Sequence, residues 1–237
     1  MRGLSMNHYT IRKIFIFFIS SIFLVSCSDD GTDTDNQIPH DFNYDMNDLD
    51  QSLRIVLMMG HVAAGMELYR QGELTMAAPH LLHPISETHK KEREGFQEMG
   101  LDVVSFVLVS TALEAKRPAS EVEPFLKKAE ENLSSIASKI DGNPNNQIMF
   151  LLEQLEDEYK IGLTDGVITD IGEYQDAYGF AVTAKLIAAN SSLSNADMLV
   201  QSLNDLLSLW PEGPKPTANP SSISLISSQV SEIKRLL

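Results

Sequence analysis

The stretch "GHVAAGMELYRQGELTMAAPHLLHP", Gly60 to Pro84, carries the reading of the whole chain. Its first part belongs to a helix predicted from about Asp48 to Gln71, with Leu53, Val56, Leu57, Gly60, Ala64 and Leu68 close to one stripe. Gly72 is a natural stop, because a glycine accepts the left-handed conformation that ends helices. A second, shorter helix begins near Glu73, is disturbed by Pro79 and is ended by Pro84. The stretch is therefore a helical hairpin.

The same pattern continues to the end of the chain. Polar "SETHKKEREGFQEMG" leads into "LDVVSFVLVSTALEAK", whose apolar density predicts a buried helix. A helix follows Pro118 to about Ile140, with Ser120 and Glu123 in the capping-box relation. After "DGNPNN" come helices over roughly Asn146 to Gly162, from Asp170 to about Ala189 with Glu173 as reciprocal capping acid, over Asn195 to Trp210, and over Ser221 to Leu237. Asp165-Gly166 reads as a turn. Long strand-like alternations are lacking. The predicted fold is all-α, a bundle of antiparallel helices forming a single domain over 48–237.

The hairpin segment as far as His89 holds four of the six histidines. With about 1.5 Å of rise per residue, His61 before the turn and His83 after it come to similar heights. His80 lies one turn from His83, Glu87 one turn beyond, and Glu67 faces the region from lower on the first helix. Three imidazoles and a carboxylate suit zinc, iron or copper, so His61, His80, His83, Glu87 and Glu67 are the candidate ligands. Packing and hydrogen bonding at a helix end is the competing role. His89 is expected to face solvent, while His40 and His8 lie outside the hairpin. Met58, Met59, Met66 and Met76 surround it; thioethers suit Cu(I), but methionine more commonly fills irregular cores.

At the other end of the 237-residue chain, Arg2, Arg12 and Lys13 precede "IFIFFISSIFLV", an apolar core of about a dozen residues, which is signal-peptide length and short of a membrane span. "LVSC" then places small residues ahead of Cys27, the one cysteine in the sequence. The pattern resembles the lipobox of bacterial lipoproteins. That resemblance implies a signal peptide over 1–26 and a diacylated, N-acylated Cys27 as the mature N-terminus, anchoring the protein to a membrane on its extracytoplasmic side. Several acyl chains hold durably where a single one is marginal. Ser28, not aspartate, follows the cysteine, which by analogy with enteric sorting favours the periplasmic face of the outer membrane, with the cell surface as the alternative. Residues 27–47 are acidic and poor in large aliphatics, and read as a flexible tether.

Loss of the three basic residues would move the formal net charge from −15 to −18. So acidic a body repels phosphate backbones, and no nucleic-acid partner is expected. There is no glycine-rich phosphate loop, no G-x-S-x-G elbow and no H-E-x-x-H pair, so the chain is not expected to be an enzyme.

In "EYKIGLTDGVITDIGEYQDAYGFAVTAKLI", Glu158 to Ile187, a helix ends in a tyrosine-bearing turn and Glu173, Tyr174 and Gln175 open the next. With Tyr159, Leu163, Asp165 and Gly166, these positions resemble the extracytoplasmic helical region associated with bacterial high-affinity iron permeases. Glu158 and Asp176 are candidate outer ligands there, although turn, cap and packing roles explain the stretch as well. An Arg-Glu-x-x-Glu motif within membrane helices is lacking. The resemblance thus implies an accessory to envelope metal handling, partnered by a metal permease or carrier. The alternative is a metal-free interaction or scaffold module on the same bundle.

Overall fold

The computed structural model describes residues 49–86 and 93–237. Cys27 with its lipobox, the signal peptide, the tether, His8, His40, Glu87 and His89 lie outside the described residues.

Helix α1, Gln51–Arg70, begins where the Asp50 carboxylate accepts hydrogen bonds from Ser52 N at 2.7 Å and Leu53 N at 3.1 Å. It ends at Gly72, which adopts φ +82°. The Glu73 amide donates to Leu68 O and the Gly72 amide to Tyr69 O, both at 2.9 Å, the paired bonds of a Schellman stop. Helix α2, Leu74–Leu82, absorbs Pro79 in its interior. The predicted break at Pro84 falls slightly differently. The α-helix closes at Leu82, and Pro84 sits within a 3-10 turn, His83–Ile85, that extends the same arm. A ring without an N–H costs little at the start of such a turn.

Helix α3, Val103–Glu114, is capped by Asp102, whose carboxylate accepts from Ser105 N at 3.1 Å. Contrary to the buried helix expected of so apolar a segment, it exposes Val104 (63%), Val107 and Leu108 on one side. Helix α4, Ala119–Ala137, starts at Pro118 without a side-chain cap. The Ser120–Glu123 capping box does not form, and the Glu123 carboxylate accepts from the Tyr69 hydroxyl at 2.8 Å.

Helix α5, Pro144–Gly162, is capped by Asn143. Beyond it the expected Asp-Gly turn joins two-residue strands, β1 (Leu163–Thr164) and β2 (Val167–Ile168), paired antiparallel. Asp165 and Gly166 both take positive φ, +51° and +77°, as such a tight hairpin requires. Helix α6, Ile171–Asn190, starts with the Asp170 side chain accepting from Gly172 N and Glu173 N. Helices α7 (Ala196–Leu207) and α8 (Ile223–Lys234) complete the eight α-helices among the described residues.

The fold is an all-α bundle. Helix α6 lies at its centre, packed against α5, α1 and α7, while α2 joins α1 to α3, α3 lies on α4, and α8 on α5 and α7. At the α1–α6 crossing the backbones meet through glycine. A Cβ on Gly179 would lie 2.9 Å from Ala64 N and closer still to Gly60 O. This approach sets His61 and Asp176 against one another.

A buried histidine–carboxylate cluster

Asp176, one turn before Gly179, points its carboxylate at the hairpin. Its Oδ1 lies 2.8 Å from His61 Nδ1 on α1 and 2.8 Å from His80 Nδ1 on α2. His80 Nε2 stands 2.8 Å from Gln175 Oε1, and Gln175 Nε2 donates to the Met76 thioether at 3.3 Å. His61, His80, Gln175 and Asp176 are all buried. The His61 ring stacks on that of His83 with centroids 3.5 Å apart and planes 16° apart, and Phe180 meets His61 edge-on.

Burial penalises charge on both members of the His80–Asp176 pair, yet each offsets it for the other. The Asp176 carboxyl is costly to bury, but His61 and His80 hold it well below the usual carboxylate range. Burial pulls the His80 imidazole down, and Asp176, then Gln175 and Glu173, raise it above its ordinary value. With Gln175 Oε1 and Asp176 Oδ1 both accepting, His80 donates from both nitrogens, as an imidazolium does.

The structure treats the sequence-derived ligands differently. One nitrogen each from His61 and His83 and one Asp176 oxygen all lie within 4.8 Å of one another. His80 is beside them, but its two nitrogens are engaged in orienting Asp176 and Gln175. Glu67 is not brought in: its carboxylate accepts from Gln71 Nε2 at 3.1 Å and pairs with Arg70 at 3.7 Å. It lines a separate cavity of about 440 Å³ with Met59, Val62 and Met66. Met58 is fully buried in the core, the filling role.

Asp176 is the central group, and on sequence it is only an outer candidate in an acidic helix start. Glu173 is not the expected reciprocal capping acid. It is buried, 8% exposed, and hydrogen-bonds the carboxyl of Glu158 on α5. The tyrosines are structural: Tyr159 donates to Ser221 O at 2.7 Å, and Tyr159, Tyr174 and Tyr178 pack about Trp210.

Residues 142–237 match the family model described as the iron permease-associated 4-helix bundle domain. The match takes in α5 to α8, and with them Glu158, Glu173, Gln175 and Asp176. No curated protein and no solved structure matches the chain. The carboxylates of the cluster thus come from the matched region, and the imidazoles come from α1 and α2 outside it. Among the described residues no helix is long and apolar enough to cross a membrane. The carboxyl-terminal part of this all-α bundle, residues 142–237, is accordingly similar to a domain associated with iron permeases.

Proposed function

We propose that this protein is a lipid-anchored extracytoplasmic accessory to envelope metal handling that binds a transition metal ion through His61, His83 and Asp176. The observation that carries the reading is the convergence of two imidazoles and a carboxylate, from three separate segments, within 4.8 Å. Two nitrogens and an oxygen suit Fe(II) and Zn(II) better than Cu(I), which prefers thiolates and thioethers. The similarity of residues 142–237 to an iron permease-associated domain makes iron the first metal to test and a permease or envelope carrier the partner. His80 and Gln175 act behind the ligands, fixing the orientation of Asp176 as outer-shell groups do in metal sites. Parallel rings 3.5 Å apart cannot both direct in-plane lone pairs at one ion, so one imidazole turns as the metal enters. Cys27 supplies the anchor.

The test is anaerobic calorimetric titration of the full-length chain in detergent with Fe(II), Zn(II) and Cu(I), beside a His61→Ala/His83→Ala variant checked for helicity. Tight stoichiometric binding lost in the variant supports the site. Equal or absent binding in both sinks it and leaves the metal-free interaction module, for which the cavity lined by Met59, Val62 and Met66 is the structural argument.

A further inference from the structure

Away from the histidine cluster, the cavity of about 440 Å³ is walled by four helices, α1, α4, α6 and α7. It runs from Met59 to Arg70 of α1, three turns or about 16 Å, and so forms a long slot. Its floor is apolar at helical spacing, with Met59, Val62 and Met66 on α1 and Val182 and Leu186 on α6. Leu186 is left 49% exposed. Packed interiors leave few voids larger than a water molecule, whose share of liquid volume is roughly 30 Å³, so the slot is more than a packing defect. Pockets of this size, apolar with a few placed polar groups, are the usual form of small-molecule sites.

Two polar groups of α6 line the slot and serve nothing else in the fold. Thr183 is 2% exposed, and its hydroxyl has no hydrogen-bond partner among the described residues, a condition buried polar groups seldom keep unless something completes it. Lys185 is half-buried, and its ammonium makes neither a hydrogen bond nor an ion pair among the described residues. The chain carries 33 acidic side chains against 18 basic ones, so carboxylates are plentiful, and a half-buried lysine left without one is an open position for an anion. The acids of the slot are disposed otherwise: Glu67 is held by Gln71 and Arg70, and Glu130 is exposed on α4. A long apolar slot with a free ammonium and a hydroxyl on its wall matches an alkyl chain that ends in a carboxylate. We propose that the slot binds one long-chain fatty acid, its chain laid along the Met59–Met66 and Val182–Leu186 faces, with Lys185 pairing the carboxylate and Thr183 offering its hydroxyl. The site uses none of His61, His83 and Asp176 and stands independently of the metal-binding reading.

The experiment uses the full-length chain in phosphatidylcholine nanodiscs, which avoids competition from detergent, and the probe is hexadecanoic acid carrying a diazirine on its chain. Cross-links formed on illumination are mapped by peptide mass spectrometry. Labelling is expected to saturate at one probe per chain and to fall within 59–70 of α1 and 182–189 of α6. Unlabelled hexadecanoate should compete about tenfold better than hexadecanol, the difference expected of a hydrogen bond to a charged group, and Lys185→Gln should erase that difference. Ala63→Phe, which places a ring in the slot, should abolish the labelling. Should that variant lose helicity, Lys185→Gln, at a half-buried position on the slot wall, carries the test alone. Labelling that does not saturate, that spreads over the bundle, or that is indifferent to Lys185→Gln would overturn the proposal. Labelling that appears only in a Cys27→Ser chain would also overturn it, by identifying the protein's own acyl group as the occupant.

Discussion

Gly179→Ala probes the link between backbone packing and the buried cluster. The added Cβ would sit 2.9 Å from Ala64 N and 3.0 Å from Ala64 Cβ, and nearer still to the Gly60 carbonyl oxygen, where ordinary contacts are 3.4 Å or longer. These obstacles are mainly backbone, which cannot rotate aside, so α1 and α6 must part by about 1 Å. His61 and Asp176 sit on those two helices within a turn of the contact, and their 2.8 Å separation would lengthen beyond hydrogen-bonding reach. Overpacking costs about 1–3 kcal/mol, and a lost bond to a charged group about 1.5–3 kcal/mol, giving about 2.5–6 kcal/mol together. At roughly 2–4 °C per kcal/mol for a domain of this size, Tm falls by about 5–24 °C. The assay is thermal unfolding followed by circular dichroism, paired with Fe(II) titration, in which affinity should fall at least tenfold by order of magnitude. Gly172→Ala is the control on the same helix, because its Cβ would make only a 3.4 Å contact, with Asp170 Oδ1. A Gly179→Ala protein that melts within about 2 °C of wild type and binds metal equally would refute the argument.

The metal-free chain should be most stable in mildly acid solution. Asp176, held low, contributes stability that is present above its unfolded value of about 3.9 and is lost as pH falls through its lower folded value. His80, held high, contributes below its unfolded value of about 6.5, and that contribution is lost as pH rises through its folded value. Glu158, raised to about 11, keeps its proton in the fold while the unfolded chain ionises, so stability falls as pH rises above about 4.5. The combined slope near neutrality approaches about 1.4 kcal/mol per pH unit for each retained proton. Urea unfolding at pH 5, 7 and 9 should show this decline, and Glu158→Gln should flatten it; a flat wild-type profile would contradict the buried protonated pair. Asp170→Ala, which removes the acceptor for Gly172 N at 3.0 Å, should cost about 1 kcal/mol and lower Tm by about 2–4 °C, measured by the same melts.

Local chemistry determined much of this protein before any contact was known. Helix periodicity, the Gly72 stop, the Asp170 cap and the Asp165-Gly166 turn act between residues a few positions apart, so a single sequence displays them directly. The expectation that the hairpin gathers histidines rests on the same arithmetic of helical rise, and His61 and His83 do stack. Where local signals competed with packing they failed: Glu123 and Glu173 follow capping spacing, yet Tyr69 and Glu158 claim them.

Tertiary structure alone decided which group stands at the centre. Glu173, Tyr174, Gln175, Asp176 and Ala177 are consecutive and all buried, so α6 has no polar stripe from which to read the face that meets the histidines. His80 and Asp176 are 96 residues apart in the chain, and no local rule couples them. Their meeting depends on the α1–α6 crossing, which two glycine-containing backbones allow and which places one carboxylate within 2.8 Å of two imidazoles. The sequence by itself determined an all-α bundle with a histidine-bearing hairpin, because those features arise from neighbours. The identity of Asp176 as their common partner was decided by close packing between distant helices, where steric fit selects the surfaces that meet.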